Sequence, residues 1–166
     1  MKSHSTIILL GGNKPQTLDL FNQAEEFIKT SFGKITNHSS IYKSTPWGFK
    51  ADSDFFNKVI ETETYLNPEE QIDMLLSIEK RLGRKPKVSS GYESRCIDLD
   101  ILFIDDLEIE TPALIVPHPH LHKRRFTLIP LNEKWSFMIH PTLKKTVNEL
   151  LQICSDKGEV TQLVTV

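Results

Sequence analysis

Two aspartates, Asp98 and Asp100, lie one residue apart inside a short apolar segment that runs from Arg95 to Ile104. The segment is rich in Ile, Leu and Phe and is bounded by polar residues, which predicts a β-strand. Because side chains alternate along a strand, both carboxylates are expected on one face, together with Leu102 and Ile104. Adjacent carboxylates repel each other, so a cation is expected beside them. Their oxygens suit Mg²⁺, which proteins commonly share with substrate phosphates.

The opposite face of this strand is predicted to carry Leu99, Ile101 and Phe103. For the Asp-x-Asp pattern alone, an edge strand with both acids in water, or an ion pair with Arg95, explains the sequence equally well. The pattern by itself therefore leaves a metal site and a solvated strand open.

Three histidines at alternate positions raise a second metal hypothesis, a zinc site formed by His118, His120 and His122. Two prolines disturb the alternation, and no fourth ligand stands nearby in the sequence. The adjoining basic residues 123–125 favour anion binding instead.

The chain has 166 residues, an ordinary globular composition and a formal net charge of −2. This length fits a single domain over residues 1–166, and this charge gives no general attraction to nucleic acid or to an anionic membrane. The apolar run from Ile7 to Leu10 is too short for a signal peptide or a membrane span. Cys96 and Cys154 are expected to be reduced thiols, so the expected location is the cytoplasm.

The remaining patterns predict an α+β fold. Strands are expected over residues 6–10, 34–43 and 56–66, and helices over residues 15 or 17 to 32 and 68–82. With the Asp-x-Asp strand, the order is β-α-β-β-α-β, which is the ferredoxin-like order of an antiparallel sheet with helices packed on one face. A C-terminal extension is predicted to contain a short strand over 107–109, helices over 126–131 and 147–154, a loop over 132–146 and an edge strand over 160–166.

The second predicted helix has the clearest boundary signals, because Asn67 is a good N-cap and Glu70 completes a capping box. Its buried face is predicted to carry Ile72, Leu75, Leu76 and Leu82. Glu79 falls on the same face. An inward carboxylate requires a partner, so Glu79 is expected either to pair with an arginine or to accept hydrogen bonds from a ligand.

Two polar features stand near the ends of these elements. Residues 84–95 carry four basic residues and one acid, which suits a phosphate-binding lid beside the Asp-x-Asp strand or a solvated surface loop. Asn57 opens a strand, where its amide suits either recognition of a heterocycle edge or a turn.

Several short motifs together resemble a known enzyme family. In chain order they are Gly11-Gly12-Asn13, Tyr42-Lys43-Ser44-Thr45-Pro46-Trp47-Gly48, Phe56-Asn57, Gly83-Arg84, Ser94-Arg95-Cys96-Ile97-Asp98-Leu99-Asp100-Ile101-Leu102 and the segment from Val116 to Phe126. Their order and spacing closely resemble the 6-hydroxymethyl-7,8-dihydropterin pyrophosphokinase family over residues 7–131. The resemblance implies Mg²⁺-dependent transfer of pyrophosphate from ATP to the pterin hydroxymethyl group, with release of AMP, in folate biosynthesis.

The resemblance also implies a role for each matching residue. Asp98 and Asp100 would hold two Mg²⁺ ions, and Asp98 would also contact the pterin. Arg84 and Arg95 would join them in catalysis by gripping the phosphates. The further nucleotide contacts that it implies are Glu79, Ile101, His118 and Arg124. The further pterin contacts are Ser44, Thr45, Trp47, Phe55, Asn57 and Phe126, in an enzyme expected to be a monomer, with a homodimer as the alternative.

The chain departs from the common family pattern at the lid. The usual Trp-Gly-Pro-Arg before the aspartates reads Tyr92-Glu93-Ser94-Arg95, so Tyr92 takes the place of the tryptophan. Pro86 and His120 stand where basic residues are frequent in the family.

Two other function classes fit parts of the sequence. A ferredoxin-like nucleic-acid-binding module requires a basic sheet face with stacking aromatics, whereas this strand offers two acids. A metal-dependent phosphohydrolase or nucleotidyl transferase also uses paired carboxylates, and only the identity of the products separates it from a pyrophosphokinase.

Overall fold

The computed structural model describes residues 2–44, 54–83 and 97–164. In chain order its elements are β1 (His4–Gly12), α1 (Thr17–Ser31), β2 (Lys34–His38), β3 (Tyr42–Ser44), β4 (Phe55–Thr64), α2 (Pro68–Arg81), β5 (Asp98–Ile104), β6 (Ile109–Glu110), β7 (Ile115–Val116), a 3₁₀ turn (Leu121–Lys123), α3 (Arg125–Trp135), α4 (Val147–Ile153) and β8 (Val160–Gln162). No helix in these ranges has both the length and the apolar character that a membrane crossing requires.

One antiparallel sheet organises the described chain. Its strand order is β5-β1-β4-β3-β8, and β2 also pairs with β4. Strands β6 and β7 form a separate antiparallel pair. The predicted combination of helices with an antiparallel sheet is confirmed, although the helices lie on both faces of the sheet rather than on one.

The first face of the sheet packs against α1 and α2. Ile8, Leu10, Ile60 and Leu99 meet the apolar stripes of the two helices there. The predicted capping box of α2 is present at its N-terminus, between the Asn67 and Glu70 side chains and backbones.

The prediction that Leu76 lies on the buried face of α2 is wrong. Leu76 is 51% exposed, and Ile78 is buried instead. The buried residues Leu75, Ile78 and Leu82 follow the three-to-four-residue spacing of one helix face, and Leu76 lies off that face.

The second face packs against α3 and α4. Ile7, Leu9 and Val59 from the sheet meet a group of side chains from the C-terminal part of the chain: Leu121, Leu128, Leu131, Trp135, Val147, Leu150 and Cys154. Helix α3 runs four residues beyond the predicted end at 131, because its buried stripe continues to Trp135. The predicted loop over 132–146 therefore begins after α3.

The strand that carries the aspartates, β5, contains a β-bulge, and beyond it the side chains lie on the opposite face from the one that simple alternation predicts. Ile7 pairs with Phe103, but Ile8 pairs with Ile101, so Leu102 is an extra residue on β5. Leu102 and Phe103 both pack on the second face, and Ile104 packs on the first. The prediction that Phe103 shares a face with Leu99, and Ile104 a face with the aspartates, is therefore wrong.

The predicted strand over 34–43 is two strands. Between them the Ser39 N–H donates to the Val59 carbonyl at 2.8 Å, and the Ser39 hydroxyl accepts the Val59 N–H at 2.9 Å. The side chain replaces a backbone acceptor, so the chain leaves the ladder after β2 and rejoins β4 as β3. This break sets the position of β3, on which the candidate site depends.

The C-terminal chain closes the far edge of the sheet. Strand β8 pairs with β3, and its described length is shorter than the predicted 160–166 strand, of which 165–166 lie outside the described residues. The predicted short strand over 107–109 corresponds to β6, whose residues are Ile109 and Glu110.

Candidate active site

Three neighbouring strands bring polar residues into one row on the second face of the sheet. Asp98 on β5 pairs with Gly11 on β1, and Gly11 pairs with Asn57 on β4. Tyr42 on β3 pairs with Asn57 and extends the row by one strand. Directly paired residues of antiparallel strands share a face, so these positions are neighbours in space although they are far apart in sequence.

The rows on either side define the limits of the site. Asp100 pairs with Leu9, which pairs with Val59, so this row leads into the apolar core of the second face. On the other side, Ser44 pairs with Phe55. The polar part of this face is thus bordered by an aromatic ring at one end and by buried aliphatic side chains at the other.

The absence of a side chain at Gly11 is required by Asn57. A Cβ atom at position 11 would lie 2.8 Å from the Asn57 Oδ1 atom. The amide of Asn57 therefore lies over the β1 backbone, in the space that any other residue at this position would fill.

Two buried polar groups in these rows have no hydrogen-bond partner in the described part of the protein. They are the Nδ2 amide of Asn57, which is 3% exposed, and the hydroxyl of Ser44, which is 5% exposed. Leaving a buried donor unsatisfied costs about 1–3 kcal/mol, so such groups call for an explanation. A polar ligand with acceptor atoms would satisfy them.

The two aspartates fit a magnesium site. Both are partly exposed on one face of β5, and their oxygens are the ligands that Mg²⁺ prefers. In the described ranges no group of three or more His, Cys, Asp or Glu could hold a metal ion. Asp98 and Asp100 would therefore supply few of the six ligands, which suits a cation that keeps waters and binds substrate phosphates.

Glu79 lies inward, as predicted, and is 2% exposed. Its carboxylate accepts the Leu99 N–H at 2.7 Å. Leu99 stands between the two aspartates, so this bond ties α2 to the segment of β5 that carries them. The side chain of Ile101 is buried in the core of the first face, which restricts the predicted nucleotide contact to its backbone.

His118 is held as a neutral hydrogen-bond donor. Its backbone N–H donates to the Leu102 carbonyl at 3.0 Å, and its Nδ1 atom accepts the His120 N–H at 3.1 Å. Burial, with smaller contributions from Arg124 and His120, lowers the pKa of His118 to about 4. Because Nδ1 accepts, the proton of the neutral ring is assigned to Nε2.

Helix α3 brings Arg124 and Phe126 to this face. The guanidinium carbon of Arg124 lies 5.7 Å from the centre of the Phe126 ring, and Phe126 packs partly against the second core. The Asp156 carboxylate accepts the Arg125 N–H at 3.0 Å and so fixes the start of the helix.

The histidine cluster does not converge as the zinc hypothesis requires. The His118 and His120 rings are 6.0 Å apart, whereas His122 contacts His140, with ring centres 6.3 Å apart. His140 in turn contacts Phe103. The His122 ring is therefore directed into the second core rather than toward a shared metal position.

Several residues with a predicted place in the site or its lid lie outside the described residues: Thr45, Trp47, Arg84, Tyr92 and Arg95. The structure brings Ser44, Phe55, Asn57, Asp98 and Asp100 onto one face of the sheet. It places His118, Arg124 and Phe126 in the segment that packs on this face.

Sequence reasoning missed two residues near the site. Tyr42 belonged to a motif but received no role, and Glu133 lay in the predicted loop. The structure joins them through a hydrogen bond of 2.6 Å. The signal that could have found Glu133 is the apolar spacing of Leu128, Leu131 and Trp135, which continues α3 beyond the predicted end at 131 and so places Glu133 in a helix.

An antiparallel sheet that presents two carboxylates, two buried donors without a partner in the described residues, and neighbouring basic residues is typical of enzymes that bind phosphorylated substrates together with a cation. Comparison with known protein families identifies the enzyme family. Residues 7–135 match the model of the 7,8-dihydro-6-hydroxymethylpterin-pyrophosphokinase (HPPK) family. The chain belongs to this family.

Individual relatives agree with the family match. The chain is 37% identical over 140 residues to the 2-amino-4-hydroxy-6-hydroxymethyldihydropteridine pyrophosphokinase of Aquifex aeolicus, which covers 84% of this chain and 86% of that protein. It is 43% identical over 99 residues to the Bacillus subtilis protein of the same name, covering 60% and 58%. It is 35% identical to the folic acid synthesis protein fol1 of Pneumocystis carinii over 84% of this chain, but over only 18% of that protein.

Solved structures show the same fold. The Plasmodium falciparum HPPK-DHPS structure with pteroate superposes with a TM-score of 0.76 at 15% identity. The match covers 91% of this chain and 44% of that one, so the chain spans less than half of that protein.

Proposed function

We propose that the polar face of the sheet transfers the pyrophosphoryl group of ATP to the hydroxymethyl group of 6-hydroxymethyl-7,8-dihydropterin and releases AMP. As a member of its family, the chain is a pyrophosphokinase, an ATP-dependent transferase of folate biosynthesis. The observation that carries the assignment to particular residues is the row of Asp98, Gly11 and Asn57, which sets a carboxylate beside an unsatisfied amide on one face.

The pterin is assigned to the Asn57 end of this row. A pterin edge presents both donors and acceptors, and the Asn57 amide offers the complementary pair. The Ser44 hydroxyl is the second unsatisfied donor, and the Phe55 and Phe126 rings supply apolar surface for a flat heterocycle. By resemblance, the backbones of Thr45 and Trp47 complete this pocket.

Asp98 and Asp100 would hold Mg²⁺, and we assign two ions to them, with Asp98 also contacting the pterin. Bound Mg²⁺ neutralises phosphate charge during phosphoryl transfer. The two carboxylates hold their positions because β5 is paired with β1 on one side and tied to Glu79 of α2 on the other. This preorganisation places the acids without movement at the moment of reaction.

The nucleotide is assigned to the side of the aspartates that faces the C-terminal segment. Neutral His118 can donate from Nε2 to a phosphate or ribose oxygen, and Arg124 is the nearby cation. Glu79 acts through the backbone of β5, and Ile101 through its own backbone. Arg84 and Arg95 are assigned to the phosphates by the family resemblance.

The architecture proposed for the chain is ferredoxin-like within a single domain over residues 1–166. The order β5-β1-β4, with β2 and β3 beyond β4, supports that topology for the chain from β1 to β5. In this comparison β2 and β3 count as one interrupted strand. We expect the enzyme to act as a monomer, with a homodimer as the alternative, in the cytoplasm.

The test is an assay of AMP formation from ATP, with and without 6-hydroxymethyl-7,8-dihydropterin, in Mg²⁺ and in excess chelator. We expect AMP and pyrophosphorylated pterin only when both pterin and Mg²⁺ are present. Release of free phosphate, or of pyrophosphate, would instead identify the phosphohydrolase or nucleotidyl transferase that paired carboxylates also permit.

A further inference from the structure

We propose that Tyr42 and Glu133 are a positioning pair that holds the two walls of the pterin pocket at a fixed separation. The pair joins the strand that carries Ser44 to the helix that carries Phe126. The inference rests on the proposed function, because it assigns these two residues to the pterin half of the same site.

One carboxylate makes all the contacts of this pair. The Tyr42 hydroxyl donates to Glu133 Oε1 at 2.6 Å. The Ser40 N–H donates to the same carboxylate, at 3.1 Å from each oxygen. Glu133 therefore accepts hydrogen bonds from a side chain of β3 and from the backbone just before this strand.

The position of Tyr42 places its hydrogen bond with Glu133 beside the proposed pterin pocket. Tyr42 pairs directly with Asn57, and two residues further along β3, Ser44 pairs with Phe55. A shift of β3 would therefore move the wall beside the amide that is assigned to the pterin edge. Tyr42 is 7% exposed, so its ring is also packed in place.

The position of Glu133 connects the same hydrogen bond to Phe126, on the opposite side of the proposed pocket. Glu133 follows Phe126 by seven residues in α3, which is about two helical turns and returns to the same side of the helix. The helix continues through Pro130 between these residues, and Leu128 and Leu131 pack its turns against the second core. Holding Glu133 on β3 therefore also holds Phe126 beside the sheet.

The protonation states keep this bond intact around neutral pH. Burial first, and then the hydrogen bond with Glu133, raise the pKa of the Tyr42 phenol above its ordinary value. Burial alone would raise the pKa of Glu133, but the hydrogen bonds from Tyr42 and Ser40 outweigh it and lower that pKa. A neutral phenol thus donates to an ionised carboxylate, which is a strong class of hydrogen bond.

The same helix offers a matched control. The Trp135 Nε1–H donates to Glu61 Oε1 at 2.8 Å and so also ties α3 to the sheet. Glu61 pairs with Ile7, four residues along β4 from Asn57 and away from the polar row. The two ties are alike in chemistry, but only the Tyr42–Glu133 tie borders the proposed pocket.

The experiment compares Tyr42→Phe, Glu133→Ala and Glu133→Gln with Glu61→Ala, which removes the acceptor of the Trp135 N–H in the same way that Glu133→Ala removes the acceptor of the phenol. For each variant, kcat and the KM for pterin and for ATP are measured by AMP formation, and thermal unfolding is recorded. We expect Tyr42→Phe and Glu133→Ala to raise the pterin KM about 5- to 20-fold, with the ATP KM within about twofold of the parent value. Glu133→Gln keeps an acceptor for the phenol and should recover part of the loss.

The double variant Tyr42→Phe/Glu133→Ala should be little worse than Glu133→Ala alone, because that variant already removes the acceptor of the phenol as well as that of the Ser40 N–H. Glu61→Ala should lower the unfolding temperature but leave the pterin KM within about twofold. If Tyr42→Phe and Glu133→Ala change the pterin KM no more than Glu61→Ala does, the pair is only structural and the inference is wrong. A parent enzyme that forms no AMP with pterin contradicts the proposed function as well, which the parent reaction alone reveals.

Discussion

The two faces of the central sheet are built from the same strands but differ in what they cover. On the first face, Ile8, Leu10, Ile60 and Ile101 form one apolar surface under α1 and α2. On the second face, the apolar surface stops at the row of Asp100, Leu9 and Val59, and the next row is polar. Residues that alternate along the same strands thus build a continuous core on one side and a half-open site on the other.

This difference shows how the protein separates stability from function. The first face is closed and can stabilise the fold by burial alone. In the described residues the second face retains two buried donors without a hydrogen-bond partner, on Asn57 and Ser44, and these cost stability unless a ligand satisfies them. Substitutions on the two faces should therefore have separable effects.

The largest effect is expected at the acids of the second face. Asp98→Asn removes a charged oxygen from the proposed metal site with little change in volume. Turnover should fall about 10³-fold, since several kcal/mol of charge stabilisation are lost. AMP formation and the unfolding temperature should be measured together.

The matched control for this prediction is Asp106→Asn, at an exposed acid just beyond the same strand, which should change neither quantity. Near-normal turnover in Asp98→Asn would remove the metal assignment.

On the first face, Ile60→Ala should have the opposite profile. Ile60 is fully buried between the sheet and the helices, so its truncation should lower the free energy of unfolding by about 2–5 kcal/mol. Denaturant unfolding measures the loss, and activity per folded molecule should remain close to the parent value. A selective rise in the pterin KM would show that the two faces are not independent.

A smaller and more specific effect is expected from Asn57 and Gly11. Asn57→Ala should weaken pterin binding about 10- to 30-fold but cost little stability, because its buried Nδ2 has no partner in the described ranges. Gly11→Ala should have a similar effect, since the new Cβ would displace the Asn57 amide. Pterin fluorescence titrations measure the affinity, and an unchanged affinity in both variants would remove Asn57 from the site.

The smallest expected effect is a dependence of stability on pH that arises on the second face. Burial keeps His118 neutral, with a pKa of about 4, and lowers the pKa of His140 as well. The unfolded chain binds more protons below its ordinary histidine pKa of about 6.5, so the free energy of unfolding should fall as pH drops from about 6.5 to 4.

His118→Asn retains an acceptor for the His120 N–H but cannot titrate, so this variant should flatten the decline. Exposed His120 provides the comparison, and His120→Asn should change the curve less. Identical pH profiles for the parent and His118→Asn, measured by denaturant unfolding, would contradict the role of burial at His118.

Much of the first face was predictable from local patterns. The capping box of α2 and the inward position of Glu79 each depend on spacing within one helix, and each is confirmed. The partner of Glu79 was not predictable, because the Leu99 N–H comes from another element. The roles of individual site residues remain predictions.

The errors occur where strands or helices depend on distant partners. The interruption after His38 depends on Ser39 replacing a backbone acceptor opposite Val59. The reversal of faces at Phe103 depends on one extra residue relative to β1. Neither event changes the local hydrophobic pattern, so alternation alone predicted a single strand and the wrong face.

The sequence by itself determined the alternation of strands and helices as far as β5, apart from the break between β2 and β3, together with the pair of acids on one strand face and the family that the motifs resemble, because each is encoded by residues close together in the chain. Only the tertiary structure decided which residues share the site. Antiparallel pairing sets Asp98, Gly11, Asn57 and Tyr42 side by side, and packing of α3 brings Glu133 to Tyr42. These neighbours are between 15 and 91 residues apart in sequence, and only the register of the strands and the burial of apolar side chains bring them together.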